Sequence, residues 1–150
     1  MDLKACSGKE FPLMTKNLEL TKPLANYAHT RRRGELVFLA GQGCRDPKTD
    51  IWAGVTFDAQ GKPAQIDFEA QVRGVFRNID AALQSGGLTR HHILDVQVFL
   101  TDLHQQFSTL NKVWDEYFQG APQLPTRTTI GVSQLPGLNL VEMKVIASSS

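Results

Sequence analysis

Two hydrophobic periods meet in the middle of the chain, and their order constrains the fold more than any other feature. After Asp67, residues Val72, Val75, Phe76, Ile79, Ala82 and Leu83 recur at spacings of three and four until Gly86-Gly87. That is the stripe of a helix buried along one side, with Asp67 as its expected cap and the glycines as its stop. The period then falls to two: Leu94, Val96, Val98 and Leu100 alternate with Asp95, Gln97, Phe99 and Thr101, as in a strand with one buried face. A second helical stripe runs from about His104 to Phe118 through Phe107, Leu110, Trp114, Tyr117 and Phe118, and Gly120 and Pro122 stop it.

Extended segments flank this unit. Glu35 to Gln42 reads as a buried strand after a turn at Gly34, and Val55 to Phe57 as a short strand among the turn signals Asp46-Pro47, Gly54 and Gly61. Arg127 to Val132 and Leu138 to Ala147 read as two more strands around the turn Leu135-Pro136-Gly137. Two amphipathic helices suffice to cover one face of a four- to six-stranded mixed sheet, so the expected class is α+β. The other face still needs cover, which predicts a homo-oligomer with sheets packed on one another.

At 150 residues and 41% hydrophobic content the chain has room for one domain, expected over 16–150, with 1–15 as a flexible tail. Lys plus Arg exceed Asp plus Glu by one, so no global field attracts nucleic acid, and the short run Thr30-Arg31-Arg32-Arg33 lacks interleaved aromatics. Cys6 and Cys44 form no metal-ligand array, and no apolar run has the length of a membrane span or a signal peptide. The expectation is a cytoplasmic protein without structural metal, nucleic-acid partner or membrane partner.

Two charged residues interrupt otherwise apolar strands. Arg127 shares a strand face with Thr129, either as an edge arginine in solvent or an ion pair, or as a planar fork for a carboxylate. Glu142 lies with Leu140, Lys144 and Ile146 on the face opposite Val141, Met143 and Val145, either as half of a surface charge pair or as a partly buried carboxylate suited to proton transfer. If the last two strands formed a simple hairpin about Pro136-Gly137, Arg127 would pair near Ile146, leaving roughly 13 Å along the strand to Glu142, a gap that a bulge, a longer loop, intervening strands or a second subunit would have to close.

Pro125-Thr126-Arg127, then Leu135-Pro136, then Glu142 fifteen residues after the arginine, resemble the C-terminal signature of the Rid (YjgF-type) deaminases. The likeness runs without a gap from PLANYAHTRRRGELVFLAGQ through FEAQVRGVFRNIDAAL, VQVFLTDL and FSTLNKVWDEYF, over about residues 23 to 147. It implies a chorismate-mutase-like fold, a homotrimer with inter-subunit active sites, and hydrolysis of an enamine or imine carboxylic acid to an oxo acid and ammonia without a cofactor. On the resemblance, Arg127 holds the substrate carboxylate and Glu142 moves protons on water. Tyr27, Ala40, Gly41, Gln42, Asn111 and Thr129 line the substrate site. Ala40 stands where the family commonly has serine, and Thr129 where it has cysteine, which implies a substrate other than the small aliphatic iminoacids. Cys44-Arg45-Asp46-Pro47, Arg127-Thr128-Thr129 and Gln134-Leu135-Pro136 are similar to the 2-aminomuconate deaminase branch, which acts on a dicarboxylate. Arg45 is then the expected cation for the distal carboxylate. A non-catalytic carboxylate-binding trimer, and more remotely a mutase-like enzyme, are the alternatives.

Overall fold

The computed structural model describes residues 17–150, so the expected tail at 1–15 lies outside the described residues. Ten short elements follow one another: β1 (Thr30–Arg33), β2 (Leu36–Leu39), β3 (Val55–Phe57), β4 (Pro63–Ile66), α1 (Phe68–Ser85), a single 3-10 turn (Arg90–His92), β5 (Ile93–Leu100), α2 (Leu103–Tyr117), β6 (Thr126–Gly131) and β7 (Val141–Ser148). Five strands form one mixed sheet in the order β1-β2-β7-β5-β6, with both helices on one face, and β3 and β4 form a separate antiparallel pair. The α+β class expected from the sequence is the one observed.

Local chemistry explains the boundaries. Asp67 accepts a hydrogen bond from the Ala70 amide at 3.1 Å, capping α1, and Asp102 does the same for α2 through Gln105. Gly87, at φ +75°, takes the left-handed position that ends α1, letting the Leu88 amide return to the Leu83 carbonyl at 2.9 Å. All six residues of the α1 stripe are fully buried. They meet α2 through Phe76, whose ring stacks on Tyr117 at 3.9 Å.

Two residues leave their expected places. A bulge between Ile93 and Asp95 turns Leu94 outward, 48% exposed, and Ile93 takes the core position instead. Phe107, 41% exposed, stays out of the core because the start of α2 lies over β6, the outermost strand among the described residues. Val113, which the stripe omitted, is buried in its stead. Strand β4 was also missed, since Pro63-Ala64-Gln65-Ile66 has one apolar branched residue and is mostly exposed.

The largest difference concerns the last two strands. They do not form a hairpin: β5 lies between them, parallel to β6 and antiparallel to β7. Helix α2 is the crossover that a parallel β5–β6 pair requires.

Candidate functional site

Register and alternation together decide where the chemical groups point. Val96 faces both Arg127 on β6 and Val145 on β7, while Glu142 faces Phe99. Cross-strand partners share a face, so Arg127 lies on the helix-covered face and Glu142 on the other. Within one chain the two are offset by about 10 Å along the strands and about 10 Å across them.

Glu142 opens into a cleft of about 300 Å³ whose walls include Tyr27, His29, Ala40, Gly41, Gln42, Arg45, Trp52 and Asn139. The end of β2 supplies one wall because Gln42 leaves the strand yet keeps a two-way bridge to Met143, at 2.8 and 3.1 Å. A Cβ on Gly41 would stand 2.3 Å from Glu142 Oε1, so only glycine lets the carboxylate lie against the backbone here. Among the described residues no donor reaches that carboxylate, and burial raises its pKa above the ordinary glutamate value. Lys144, expected as a possible charge partner, instead donates to the Leu39 carbonyl at 3.3 Å.

Arg45 also faces the cleft, holding Asp50 at 2.6 Å and the Lys22 carbonyl. Tyr27 is half exposed, and its hydroxyl accepts from the Leu24 amide at 3.3 Å. Ala40 closes the wall with its amide on the His29 carbonyl at 2.9 Å.

A second group assembles on the helix side at the sheet edge. Arg127 donates to Asn111 Oδ1 at 2.8 Å and lies over the Trp114 ring at 4.8 Å. Burial lowers its pKa, opposed by the charge of Asp115, and the guanidinium stays protonated throughout the ordinary pH range. The Thr129 hydroxyl, two residues along the same face, is buried with no partner among the described residues. The nine candidate residues thus divide: Tyr27, Ala40, Gly41, Gln42, Arg45 and Glu142 share the cleft, whereas Arg127, Asn111 and Thr129 form a separate patch.

Sequence reasoning missed Asn139, which shapes the cleft. Its Oδ1 accepts from the Cys44 amide at 2.9 Å and its Nδ2 donates to the Pro136 carbonyl at 2.7 Å, tying the loop before β7 to the loop after β2. The only signal was a lone amide ahead of a strongly apolar strand. Cys44 itself is buried, and burial pushes its thiol up to about 11, so it is a packing residue rather than a nucleophile. No group of three or more metal-ligating side chains occurs among the described residues, and no helix of the described residues is long and apolar enough to cross a membrane.

Comparison with known proteins places this architecture. The family model described as Endoribonuclease L-PSP matches residues 18–149. The chain is 38% identical over 122 residues to the RutC family protein YjgH of Escherichia coli, covering 81% of each. It is 31% identical to a RutC family protein of Aquifex aeolicus, covering 83% of this chain and 90% of that one. The crystal structure of E. coli TdcF with bound serine superposes with a TM-score of 0.74 at 28% identity, covering 90% and 97% of the two chains. With a match that spans nearly the whole described chain, a mixed five-stranded sheet and two helices on one face, the protein belongs to the Endoribonuclease L-PSP family, also known as the YjgF/RutC/Rid family.

Proposed function

We propose that the protein is a hydrolytic deaminase of enamine or imine carboxylic acids, with 2-aminomuconate as the best candidate substrate. The observation that carries this reading is Glu142: a carboxylate without a hydrogen-bond partner among the described residues, raised in pKa by burial, facing a cleft of small-molecule size. Burial makes such a group a better proton acceptor than an ordinary glutamate, which suits it to exchange protons with water.

The reaction follows from the chemistry of the carbon–nitrogen bond. Tautomerisation of the enamine to the imine makes the carbon electrophilic. Glu142 takes a proton from water as its oxygen attacks that carbon, then returns the proton to nitrogen. The carbinolamine then collapses as its hydroxyl proton passes, again through Glu142, to the leaving nitrogen, which releases ammonia and leaves the oxo acid, so one water is consumed and no cofactor is needed. An arginine beside the substrate carboxylate would orient it and draw electron density from the reacting carbon. Because Arg127 and Glu142 occupy opposite faces of one sheet, the arginine of each site comes from a neighbouring copy in a homotrimer. Arg127, Asn111 and Thr129 then face the Glu142 cleft of the next protomer.

Ammonia release from 2-aminomuconate tests the assignment. The wild type turns over and Glu142→Gln loses about 10²- to 10⁴-fold in kcat, the usual contribution of a general acid–base group. Undiminished turnover by Glu142→Gln would refute the role given to Glu142. A second reading, a non-catalytic carboxylate-binding protein, is favoured by the serine held in the structurally similar TdcF. Absence of turnover by the wild type on any enamine acid, together with measurable carboxylate binding, would establish it.

A further inference from the structure

Arg45 is held in an uneven ion pair. Its side chain is 12% exposed and faces the Glu142 cleft, whereas its partner Asp50 is 73% exposed. The other arm of the guanidinium is fixed by the Lys22 carbonyl, so Arg45 is positioned independently of Asp50. The loop between them is built to present that carboxylate. Arg45 and Trp52 pair across its base, and Asp46 Oδ1 accepts from the amides of Lys48 and Thr49 at 2.8 and 3.0 Å. The Asp50 amide donates to the Asp46 carbonyl at 2.9 Å, and Asp50 itself sits at φ +63°, a left-handed conformation that aspartate tolerates better than most residues.

An ion pair with so exposed an anion contributes little net stability, because the freed carboxylate is hydrated where it stands. The arginine remains in place, and another carboxylate can make the same charge-assisted contact. The exchange replaces one carboxylate on Arg45 by another, and the freed Asp50 turns its charge to solvent.

We infer that Arg45 is a second carboxylate subsite in the Glu142 cleft, occupied in the free protein by Asp50 as an internal competitor, so that the cleft selects ligands bearing two acidic groups. This rests on the cleft being a carboxylic-acid site, with the first carboxylate on Arg127. The position of Asp50 then sets the threshold a distal carboxylate must exceed, and monocarboxylates gain nothing from Arg45.

Calorimetric titration of the full chain with trans,trans-muconate and with sorbate tests this, since the two share a six-carbon diene skeleton and differ by one carboxylate. Wild type binds muconate about tenfold more tightly than sorbate, the scale of one charge-assisted contact. Asp50→Asn, a substitution at an exposed side chain, tightens muconate by about 3- to 10-fold without a matching gain for sorbate. Arg45→Met brings the two ligands to equal affinity, with thermal melting used to verify its fold. Sorbate binding with no preference for muconate in the wild type, or an Asp50→Asn variant that does not bind muconate more tightly, would overturn the inference while leaving the carboxylate site standing. Binding of neither ligand would overturn the site reading and this inference with it.

Discussion

At the scale of single residues, Glu142 couples activity and stability in opposite senses. A carboxyl whose pKa is raised in the folded state favours folding while protonated; that contribution is complete below the unfolded value and is lost as pH rises through the folded one. Glu142→Gln is therefore expected to raise Tm near neutral pH and to lose this advantage below about pH 4, as thermal melts across that range would reveal. The same shift shapes catalysis, since the base must be ionised. The acid limb of kcat/KM falls above the ordinary glutamate value of about 4.3 and vanishes in the residual rate of the glutamine variant. Gly41→Ala separates position from fold. The three atoms nearest to its methyl would all belong to the Glu142 side chain, with Oε1 at 2.3 Å, so the carboxylate swings aside. Turnover is expected to fall by about tenfold or more with Tm nearly unchanged, and an equal loss of stability would show that the glycine serves the backbone instead.

At the scale of elements, the cleft exists because two loops are tied together across the end of the sheet. Asn139 makes that tie, with one oxygen on the Cys44 amide and one nitrogen on the Pro136 carbonyl. Asn139→Ala leaves both backbone groups without their partner, and the Cys44 amide is in a buried residue. The expected cost is about 1–3 kcal/mol in urea unfolding, with an unchanged m-value. Gly137, at φ +64°, packs so closely on Trp52 that an added Cβ would lie 2.2 Å from its ring, which fixes the far side of the same loop. Edge strand β1 is a different case: Arg31, Arg32 and Arg33 place charge along an outermost strand, the usual protection against unwanted strand pairing. That gives the arginine run a role in the fold itself.

At the scale of the whole molecule, the face opposite the helices carries Phe38, Phe99 and Ile146, half-buried in the isolated chain, and exposed Ile130 beside them. This apolar surface supports the homotrimer proposed above. Light scattering is expected to give about three times the 16.6 kDa chain mass. Mixing gives a sharper test of the shared site. Arg127→Met and Glu142→Gln variants, each reduced to a small residual rate alone, are unfolded, combined in equal amounts and refolded together. If each site takes its arginine and its glutamate from different chains, random assembly restores about a quarter of wild-type activity. If one chain supplied both, no activity would return.

The core faces of α1, α2 and β5, apart from Leu94, Phe107 and Val113, were legible because each element exposes one side of a repeating geometry to the core, and periods of 3.6 and 2 are written directly into the apolar pattern. The same holds for Asp67 and Gly87, whose roles depend on their immediate neighbours. Arg127 and Glu142 stood out in the sequence as charges on apolar strands, and their spacing carried the family resemblance. Their mutual position did not follow from the sequence. It depends on β5 entering between β6 and β7, a long-range pairing that leaves no mark on the local pattern and sets the two side chains on opposite faces. The bond from the Cys44 amide to Asn139, which joins two distant loops, belongs to the same class of fact. Sequence alone determined which residues have chemistry to offer, because that is a property of each side chain. Only the tertiary structure decided which of them meet, because strand order and loop closure bring together groups that the chain keeps far apart.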